Sequence, residues 1–247
     1  YEIPKRDWSS DVCSSDLNKM KKIAFHANQL CLRGTAVAMY AYAKYNEEIL
    51  GNKSIILSSP NGDLDSYNKF KERFDVHLMP FDNYGPFLKE NEFDFLYVIK
   101  GGGQDSLWLE SIPTIVHAVF QYNQPHGYKY VYVSDWLCKN QGYDVETHSL
   151  PHICERLPEP LYDLREKLNI SKECTVFGCY GGPLQFDVGF VRNTVINIAQ
   201  SRDDIKFIFM NIEKFFDHPN MIFLDGTYDM NEKSAFVNAC EIGRAHV

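Results

Sequence analysis

The stretch KKIAFHANQLCLRGTAVAMYAYAKYNEEILGNKSIILSS, residues 21–59, predicts how the chain folds. It reads as an apolar strand at 21–28, a helix at 34–51 that stops at Gly51, and a second apolar strand at 53–59. A strand, a helix and a strand in that order form a parallel unit in which the helix covers one face of the sheet. We therefore expect an α/β protein built on parallel sheets.

The alternation of strands and helices continues beyond this unit and restarts after a break. The break, at 151–172, holds three prolines within a dozen residues and a helix at 160–168. Before it we expect helices at 63–74, opened by Asp63 or Asp65, and at 86–93, and strands at 76–81, 94–100, 114–120 and 129–137. After it we expect strands at 174–182, 205–212 and 221–227 and helices at 187–201 and 231–240. The pattern predicts two Rossmann-like parallel-sheet domains, 20–150 and 173–240, the second incomplete, joined by a connector at 151–172.

The two terminal runs, RDWSSDVCSSDL at 6–17 and EIGRAHV at 241–247, differ from the rest of the chain. Written back into codons, they match the two complementary strands of one widely used sequencing adapter. Agreement of both ends with one oligonucleotide favours this origin over a natural tail rich in Ser and Asp. We therefore expect a foreign leader at 1–19, a native start at Met20, and a natural protein that continues beyond Cys240 into sequence that the foreign tail replaces. No role is assigned to Trp8, Cys13 or His246.

Composition and charge exclude several classes of function. With 25 Lys and Arg against 33 Asp and Glu, the chain carries a net charge of −8, so no partner nucleic acid is expected. No apolar run reaches the roughly 18 residues that a transmembrane segment needs. The cysteines form no C-x-x-C pair and no Cys/His metal spacing, so we expect reduced thiols, no metal and a cytoplasmic location.

Ligands of open parallel sheets bind outside the carboxyl ends of the strands, so the loops that follow strands are the candidate sites. After the first strand, Arg33-Gly34-Thr35 opens a helix whose free N–H groups favour an anion; the alternative is a glycine needed only for a tight turn. The G-x-G-x-x-G fingerprint of dinucleotide-binding proteins is absent. In the second domain Gly181-Gly182 again lead into a helix, for which Asp187 is the favoured N-cap.

Two more candidates lie in the first domain. In KGGGQDS, at 100–106, three glycines allow a backbone to approach a ligand closely, with Lys100 and Asp105 beside them; the alternative is a flexible loop. His117 in PTIVHAVF has apolar neighbours in a strand, so a satisfied core histidine is the alternative to a role in chemistry.

The order of these parts resembles the GT-B glycosyltransferases, especially the retaining nucleotide-sugar group called glycosyl transferases group 1. The run RGTAVAMYAYAKYNEEILGNKSIILSS resembles that family's glycine-rich loop, first helix and second strand, and PTIVHAVF resembles its cleft strand with a histidine. YVYVSDWL resembles its V-S-x-x-L segment, and FGCYGGPLQFD resembles its G-R-x-x-x-K-G donor loop. The resemblance covers nearly all of residues 20–240.

The resemblance implies transfer of a sugar from a nucleotide-sugar donor to a glycan, lipid or protein acceptor, without a cofactor. It implies that His117 is catalytic, and that His117→Ala lowers activity rather than melting temperature. The residues it implies at the donor and its phosphates are Gly34, Thr35, Gly181, Gly182 and Gln185. The candidates on the acceptor side are Lys100, Gly102 and Asp105.

Two departures from the family pattern keep other functions open. Cys179 stands where the family often has Arg, and Gln185 near where it has Lys, so the leaving diphosphate loses two cations. The family's paired glutamates would lie beyond Cys240, so we expect this chain by itself to be inactive. The main alternative is a catalytically dead GT-B-like module that binds a glycan or a nucleotide. Another is a nucleotide-sugar epimerase, for which Asp105 is the one acidic candidate for a base.

Overall fold

The computed structural model describes residues 20–245, with side chains described through residue 241. The expected leader at 1–19, with Trp8 and Cys13, and the terminal His246 lie outside the described residues. The chain divides into two compact units, each assembled from separate stretches of sequence. Unit 1 holds residues 20–29, Met39–Asn61 and Phe70–Pro151, and unit 2 holds Leu30–Ala38, Gly62–Lys69 and the residues from His152 onward.

Unit 1 contains a six-stranded parallel sheet, as the sequence predicts. The elements up to residue 148 are β1 (Lys22–Ala27), α1 (Gly34–Glu48), β2 (Lys53–Ser58), α2 (Leu64–Arg73), β3 (Asp75–Leu78), a 3-10 turn (Phe81–Asn83), α3 (Tyr84–Glu90), β4 (Phe95–Lys100), β5 (Thr114–Ala118), β6 (Lys129–Tyr132), α4 (Asp135–Asn140) and α5 (Val145–His148). The beginnings of α1 and α2 belong to unit 2. The strand order is β3-β2-β1-β4-β5-β6, so the direction in which strands are added reverses between β1 and β4.

The core of unit 1 lies on both faces of this sheet, because its central strands are apolar at nearly every position. On one face Leu96 and Val98 pack in a cluster with Leu88 of α3. On the opposite face the rings of Tyr97 and of Tyr42, on α1, lie 5.6 Å apart between centroids. Alternate residues of β4 therefore serve two separate apolar layers.

Unit 2 contains a second parallel sheet, of strand order β10-β7-β8-β9. Its elements are α6 (Leu164–Lys167), β7 (Thr175–Tyr180), α7 (Gly189–Ser201), β8 (Ile205–Met210), β9 (Met221–Leu224), α8 (Met230–Ala239) and β10 (Ile242–Ala245). Val176 and Ile208 pack with Leu164 of α6 on one face, and Phe209 packs with Val195 of α7 in a second cluster. Two parallel sheets with helices packed on them confirm the predicted α/β class.

The second half of the predicted connector packs into a core. Within 151–172, the expected helix at 160–168 is limited to α6, and Leu164 and Ile170 are both buried in the cluster around Val176. The helix is shorter than predicted because Asp163 accepts hydrogen bonds from the first amides of α6 and so fixes its start.

The strand expected at 129–137 is shorter than predicted, because a helix cap follows it. β6 ends at Tyr132, and the Leu137 N–H donates to the Ser134 side chain at 3.1 Å. Ser134 therefore caps α4, which takes the last three residues of the predicted strand. The N-cap expected at Asp63 is confirmed, since its carboxylate accepts the Ser66 N–H at 2.7 Å at the start of α2.

The N-cap expected at Asp187 is wrong. The helix begins at Gly189 rather than at 187, and Val188 occupies the N-cap position without a side-chain hydrogen bond. The Asp187 carboxylate instead lies 3.1 Å from a guanidinium nitrogen of Arg192, one turn into α7. Asp187 therefore forms an ion pair with α7 and does not cap it.

The predicted tail contributes to a sheet. β10 pairs with β7 in parallel register, with Ile242 opposite Phe177 and Ala245 opposite Tyr180. The expected fold ended at residue 240, so this strand was not predicted. The foreign origin of the run stays a prediction.

Candidate functional site

A staple formed by Asn211 joins the carboxyl ends of the strands of unit 2. Its side-chain N–H donates to the Gly181 carbonyl, after β7, at 2.6 Å, and its backbone N–H donates to the Leu224 carbonyl, at the end of β9, at 3.0 Å. Asn211 itself follows β8 by one residue and has a φ of 58°. Asn tolerates this left-handed conformation better than most residues do. One residue, through its side chain and its backbone, thereby joins the segments that follow three neighbouring strands.

Gly226 extends this arrangement to the loop that precedes α1. A Cβ at Gly226 would lie 2.7 Å from Asn211 Oδ1 and 2.8 Å from Leu32 Cδ1. Any larger residue here would require one of these side chains to move. The loop at Leu32, the turn after β9 and the Asn211 staple are therefore in contact within unit 2.

The start of α1 presents an open surface beside this contact. Gly34 and Thr35 are exposed, and a Cβ built at Gly34 would meet nothing within 4 Å. The amides of Ala36 and Val37 already donate to the Arg33 carbonyl at 3.0 and 3.2 Å. α1 is a helix of 15 residues with no acidic residue in its first turn, so its positive end is not neutralised there. An exposed helix start of this kind favours an anion, and binding of one at Gly34 and Thr35 stays a prediction.

The loop at Gly181-Gly182 differs from the prediction. It leads into a turn at residues 183–186, and α7 begins only at Gly189. The turn closes on itself because Gln185 Oε1 accepts the Gly182 N–H at 2.8 Å and the Gln185 N–H donates back to the Gly182 carbonyl at 2.9 Å. The Gly181 N–H donates to the Met210 carbonyl at 3.2 Å. These amides therefore have partners inside the loop, and the glycines do not open a helix.

The carboxyl edge of the first sheet holds a buried cation. Lys100, the last residue of β4, is 5% exposed and forms an ion pair with Asp105. The oxygen that receives Lys100, Asp105 Oδ1, also accepts the Leu107 N–H at 2.8 Å. The structure thus brings together two of the three residues predicted on the acceptor side.

Gly102 lies between them, but its close approach is to the protein itself. Its φ is 111°, and a Cβ there would lie 2.7 Å from Tyr130 Oη and 2.8 Å from the Ala118 Cβ. The Tyr130 hydroxyl donates to the Gly102 carbonyl at 2.7 Å. The glycine is therefore needed to seat Tyr130, and the loop is tied to β5 and β6.

His26, near the end of β1, is a polar residue of this edge that the sequence analysis did not single out. Its Nδ1 lies 3.0 Å from Tyr84 Oη and its Nε2 lies 3.0 Å from Asn28 Oδ1. Burial lowers the pKa of His26 to about 4, against the opposing effects of the Asn28 bond and the Asp105 charge. His26 is therefore neutral at pH 7.

His26 and Lys100 project from the same face of the sheet at the point where strand addition reverses. His26 is in register with Val98, two residues before Lys100, so the two side chains lie on one side of neighbouring strands. Ligands of open α/β sheets bind at this reversal point. A polar residue next to the last position of the first strand was the signal in the sequence that would have indicated His26.

His117 lies away from this cluster. It is in register with Ile99, next to Lys100 in β4, so its side chain projects to the opposite face of the sheet. It is 0% exposed, and its Nδ1 lies 2.7 Å from the Tyr97 hydroxyl. This position fits the alternative of a core histidine, and a catalytic role for His117 stays a prediction.

The predicted donor and acceptor residues fall in different units. Gly34, Thr35, Gly181, Gly182 and Gln185 belong to unit 2, whereas Lys100, Gly102, Asp105 and His117 belong to unit 1. This division does not test the roles that the resemblance implied, which stay predictions.

Comparison with solved structures shows the class of fold. The chain is similar to a glycosyltransferase from Rickettsia africae, at 14% identity and a TM-score of 0.54, over 87% of this chain and 71% of that one. It is similar to Anabaena Alr3699/HepE in complex with UDP-glucose, at 12% identity and a TM-score of 0.59, over 90% and 72% of the two chains. A third similar structure is S. aureus MnaA with UDP, at 10% identity and a TM-score of 0.59, over 91% and 73%. The chain has a GT-B-type fold.

The GT-B-type fold confirms the resemblance read from the motifs, at the level of architecture. No protein-family model matches the sequence, and no curated protein matches it. At these identities the solved structures support the fold and not a particular donor or acceptor.

Between residues 20 and 241, no group of three or more His, Cys, Asp or Glu side chains is arranged to hold a metal ion. No helix within 20–245 has the length and apolar character needed to cross a bilayer.

Proposed function

We propose that this chain carries donor- and acceptor-binding loops of a glycosyltransferase that uses a nucleotide sugar. The GT-B-type fold supports the reaction class. UDP is the nucleotide proposed here, since one similar structure is a complex with UDP and another a complex with UDP-glucose. Donor contacts are proposed in unit 2 and acceptor contacts at the carboxyl edge of the sheet in unit 1.

One observation carries the donor site: Leu32, Gly226, Asn211 and Gly181 form a continuous chain of contacts. It holds the loop before α1 next to the carboxyl ends of β7, β8 and β9. A diphosphate on the exposed first turn of α1 would receive the amides of Gly34 and Thr35 and the positive end of the helix. The same ligand would lie beside the loops that Asn211 fixes.

The chemistry requires that negative charge on the departing diphosphate be stabilised. The bond from the sugar carbon to the diphosphate oxygen breaks, a bond from that carbon to an acceptor oxygen forms, and the acceptor loses its proton. Backbone amides at a helix start stabilise the departing charge without reorganising. In this proposal the first turn of α1 has that task, since Cys179 and Gln185 supply no cation.

Asp105 is the proposed acceptor of the departing proton. Its carboxylate is held by the buried Lys100, and its side chain is 44% exposed. Because only Oδ1 is used by Lys100 and the Leu107 N–H, Oδ2 is left to face an acceptor hydroxyl. His117 is kept away from the reacting atoms in this proposal because it is buried on the opposite face.

A binding module without turnover is the second candidate. It is favoured because the Gly182 N–H and the Arg192 side chain already bond to other groups of the same segment. Gly182 donates to Gln185, and Arg192 donates to the Phe186 carbonyl at 2.6 Å while pairing with Asp187. Such a loop holds a nucleotide less strongly at its phosphates and favours slow or absent chemistry.

The donor site is tested by calorimetric titration of UDP into matched valine variants. Gly34 and Gly189 are each the first residue of a helix, and a Cβ at either position meets nothing within 4 Å. We expect Gly34→Val to weaken UDP binding by at least about tenfold, because its side chain covers the proposed phosphate site, and Gly189→Val to leave it unchanged. Equal affinity of both variants and the wild type would remove α1 from the donor site.

Turnover separates the two candidate functions when it is measured on the gene extended to its natural stop codon, because this chain by itself is expected to be inactive. Release of UDP from UDP-glucose, lost in Asp105→Asn, would support a transferase. UDP binding without release would support the binding module, and formation of an epimer of the sugar would support the epimerase alternative.

A further inference from the structure

Two exposed aromatic side chains follow β5 at the carboxyl edge of the first sheet. Phe120 is 64% exposed and Tyr122 is 48% exposed. They are two residues apart, and the Tyr122 N–H donates to the Phe120 carbonyl at 2.8 Å. Exposed apolar groups that adjoin one another mark binding surfaces more often than isolated ones do.

The backbone beneath these rings is fixed. The Phe120 N–H donates to the Gly101 carbonyl at 3.0 Å, which continues the pairing of β5 with the segment after β4. The Tyr130 hydroxyl bonds to the Gly102 carbonyl at 2.7 Å and lies 3.5 Å from the Tyr122 carbonyl. The rings are thus presented by an ordered segment, which reduces the entropy lost when a ligand binds.

The glycines next to the Phe120 and Tyr122 rings cover one side of each ring and leave the other side open to a ligand. A Cβ at Gly101 would lie 3.3 Å from the Phe120 ring and 3.7 Å from the Tyr122 ring, and a Cβ at Gly103 would lie 3.8 Å from the Tyr122 ring. Both rings therefore rest against the glycine segment on one side. Their exposed area faces away from it.

Polar groups that suit sugar hydroxyls lie in the segments that adjoin the rings, Asp105 in the glycine loop and Gln124 two residues after Tyr122. Asp105 keeps Oδ2 for an outside donor, since Lys100 and the Leu107 N–H both reach Oδ1. The Gln124 side chain accepts the Gln104 N–H through Oε1 at 2.7 Å, so its amide N–H groups point elsewhere. Carboxylate and amide groups together can both accept from and donate to hydroxyls.

The absence of cations distinguishes a neutral sugar from a phosphate ligand. Residues 101–128 contain neither Lys nor Arg. Lys100, which precedes them, is buried and paired with Asp105. Nucleic acids and anionic lipid surfaces are held mainly by Lys and Arg, so this surface does not suit them. Aromatic rings with amide and carboxylate groups in the adjoining segments match the apolar ring face and the hydroxyl rim of a pyranose.

We propose that Phe120 and Tyr122 form a stacking surface for a neutral glycan, which is the acceptor of the transferase. That this glycan is the acceptor of a sugar transfer rests on the proposed function. Binding of the glycan to the stacking surface does not, and it is measured without a donor.

The test is a titration of the 247-residue chain with three neutral oligosaccharides: maltopentaose, cellopentaose and penta-N-acetylchitopentaose. We expect at least one to bind, and Phe120→Ala/Tyr122→Ala to bind it at least about fivefold more weakly, because each stacked ring contributes modestly to affinity. Tyr122→Phe keeps the ring and should bind as the wild type does. Tyr128→Ala is the matched control, since Tyr128 is 74% exposed and precedes β6 at the amino edge.

Three results would overturn the proposal: no oligosaccharide binds the wild type, the double variant binds as well as the wild type, or Tyr128→Ala weakens binding equally. Attachment to phosphatidylcholine vesicles that is lost in the double variant, without oligosaccharide binding, would assign the rings to a membrane surface instead. UDP is titrated into the same samples. Glycan binding without UDP binding rejects the proposed function alone, and UDP binding without glycan binding rejects the stacking surface alone.

Discussion

The Tyr97 hydroxyl and His117 Nδ1 lie 2.7 Å apart within the core of unit 1. This pair changes what we expect of His117→Ala. The resemblance implied a loss of activity, whereas the buried pair implies a loss of stability. Removing the imidazole leaves a cavity and takes the acceptor or donor from a buried phenol. We now expect the free energy of unfolding to fall by about 3 kcal/mol in urea denaturation.

Tyr97→Phe is the matched control for that measurement. It removes only the hydroxyl, so we expect a loss of about 1 kcal/mol. Wild-type stability of His117→Ala would contradict the structural role, and reduced release of UDP by the same variant of the gene extended to its natural stop codon would restore the catalytic one.

The glycines after β4 provide a second test, because neighbouring positions differ in geometry. Gly102→Ala places a Cβ 2.7 Å from Tyr130 Oη at a φ of 111°, whereas a Cβ at Gly103 has no neighbour closer than 3.6 Å. We expect Gly102→Ala to lower the free energy of unfolding by about 2 kcal/mol. Gly103→Ala should change it by less than about 0.5 kcal/mol. Similar thermal denaturation curves for the two variants would mean that the Tyr130 contact is not formed.

His26 predicts a dependence of stability on pH. Its pKa is about 4 in the folded protein, below the usual 6.5. Between these values the unfolded chain binds a proton that the folded chain does not, so stability is complete above pH 6.5 and is lost as the pH falls toward 4. From the two pKa values the loss is about 3 kcal/mol.

Other groups titrate in the same range, so the contribution is read from a comparison with His26→Gln. The variant should be less stable than the wild type at pH 7.5, and the difference should shrink by about 3 kcal/mol by pH 4. A difference that stays constant over this range would show that His26 is accessible to protons in the folded state.

Asn211 can be tested for its two contributions separately. Asn211→Gly keeps the φ of 58° at no steric cost and loses the bond to Gly181, for which we expect about 1 kcal/mol of destabilisation. Asn211→Ala loses the same bond and adds the cost of a left-handed conformation, about 1 kcal/mol more. If alanine were tolerated as well as glycine, the backbone at this position would not be constrained as described.

The architecture followed from the sequence where local signals agree. The apolar runs of β1 and β2, with Gly51 after α1, predicted the first parallel unit, and the same pattern located most other strands. The errors arose where a side chain forms a hydrogen bond or ion pair that the spacing of apolar residues does not predict. Ser134 caps α4, so the last residues of a predicted strand are helical, and Asp187 pairs with Arg192 instead of capping α7.

The candidate site was harder to predict because it depends on contacts between distant residues. The Asn211 staple joins positions 30 residues apart, and its role depends on a left-handed backbone that composition does not indicate. The start of α1 at Gly34 was predicted, since glycine at a helix start is a local signal. That His117 and Lys100 project from opposite faces follows from the register of β4 and β5, which a single sequence does not specify.

The assembly of unit 2 from separated stretches has a consequence for synthesis on the ribosome. The Tyr228 hydroxyl donates to Asp63 Oδ2 at 3.2 Å across 165 positions of the chain. A nascent chain that has emerged as far as α5 holds every strand of the first sheet, while residues 30–38 and 62–69 still wait for partners not yet translated. Closing so long a loop is entropically costly, so the second sheet is expected to mature last and to leave those early segments exposed to chaperones and proteases in the meantime.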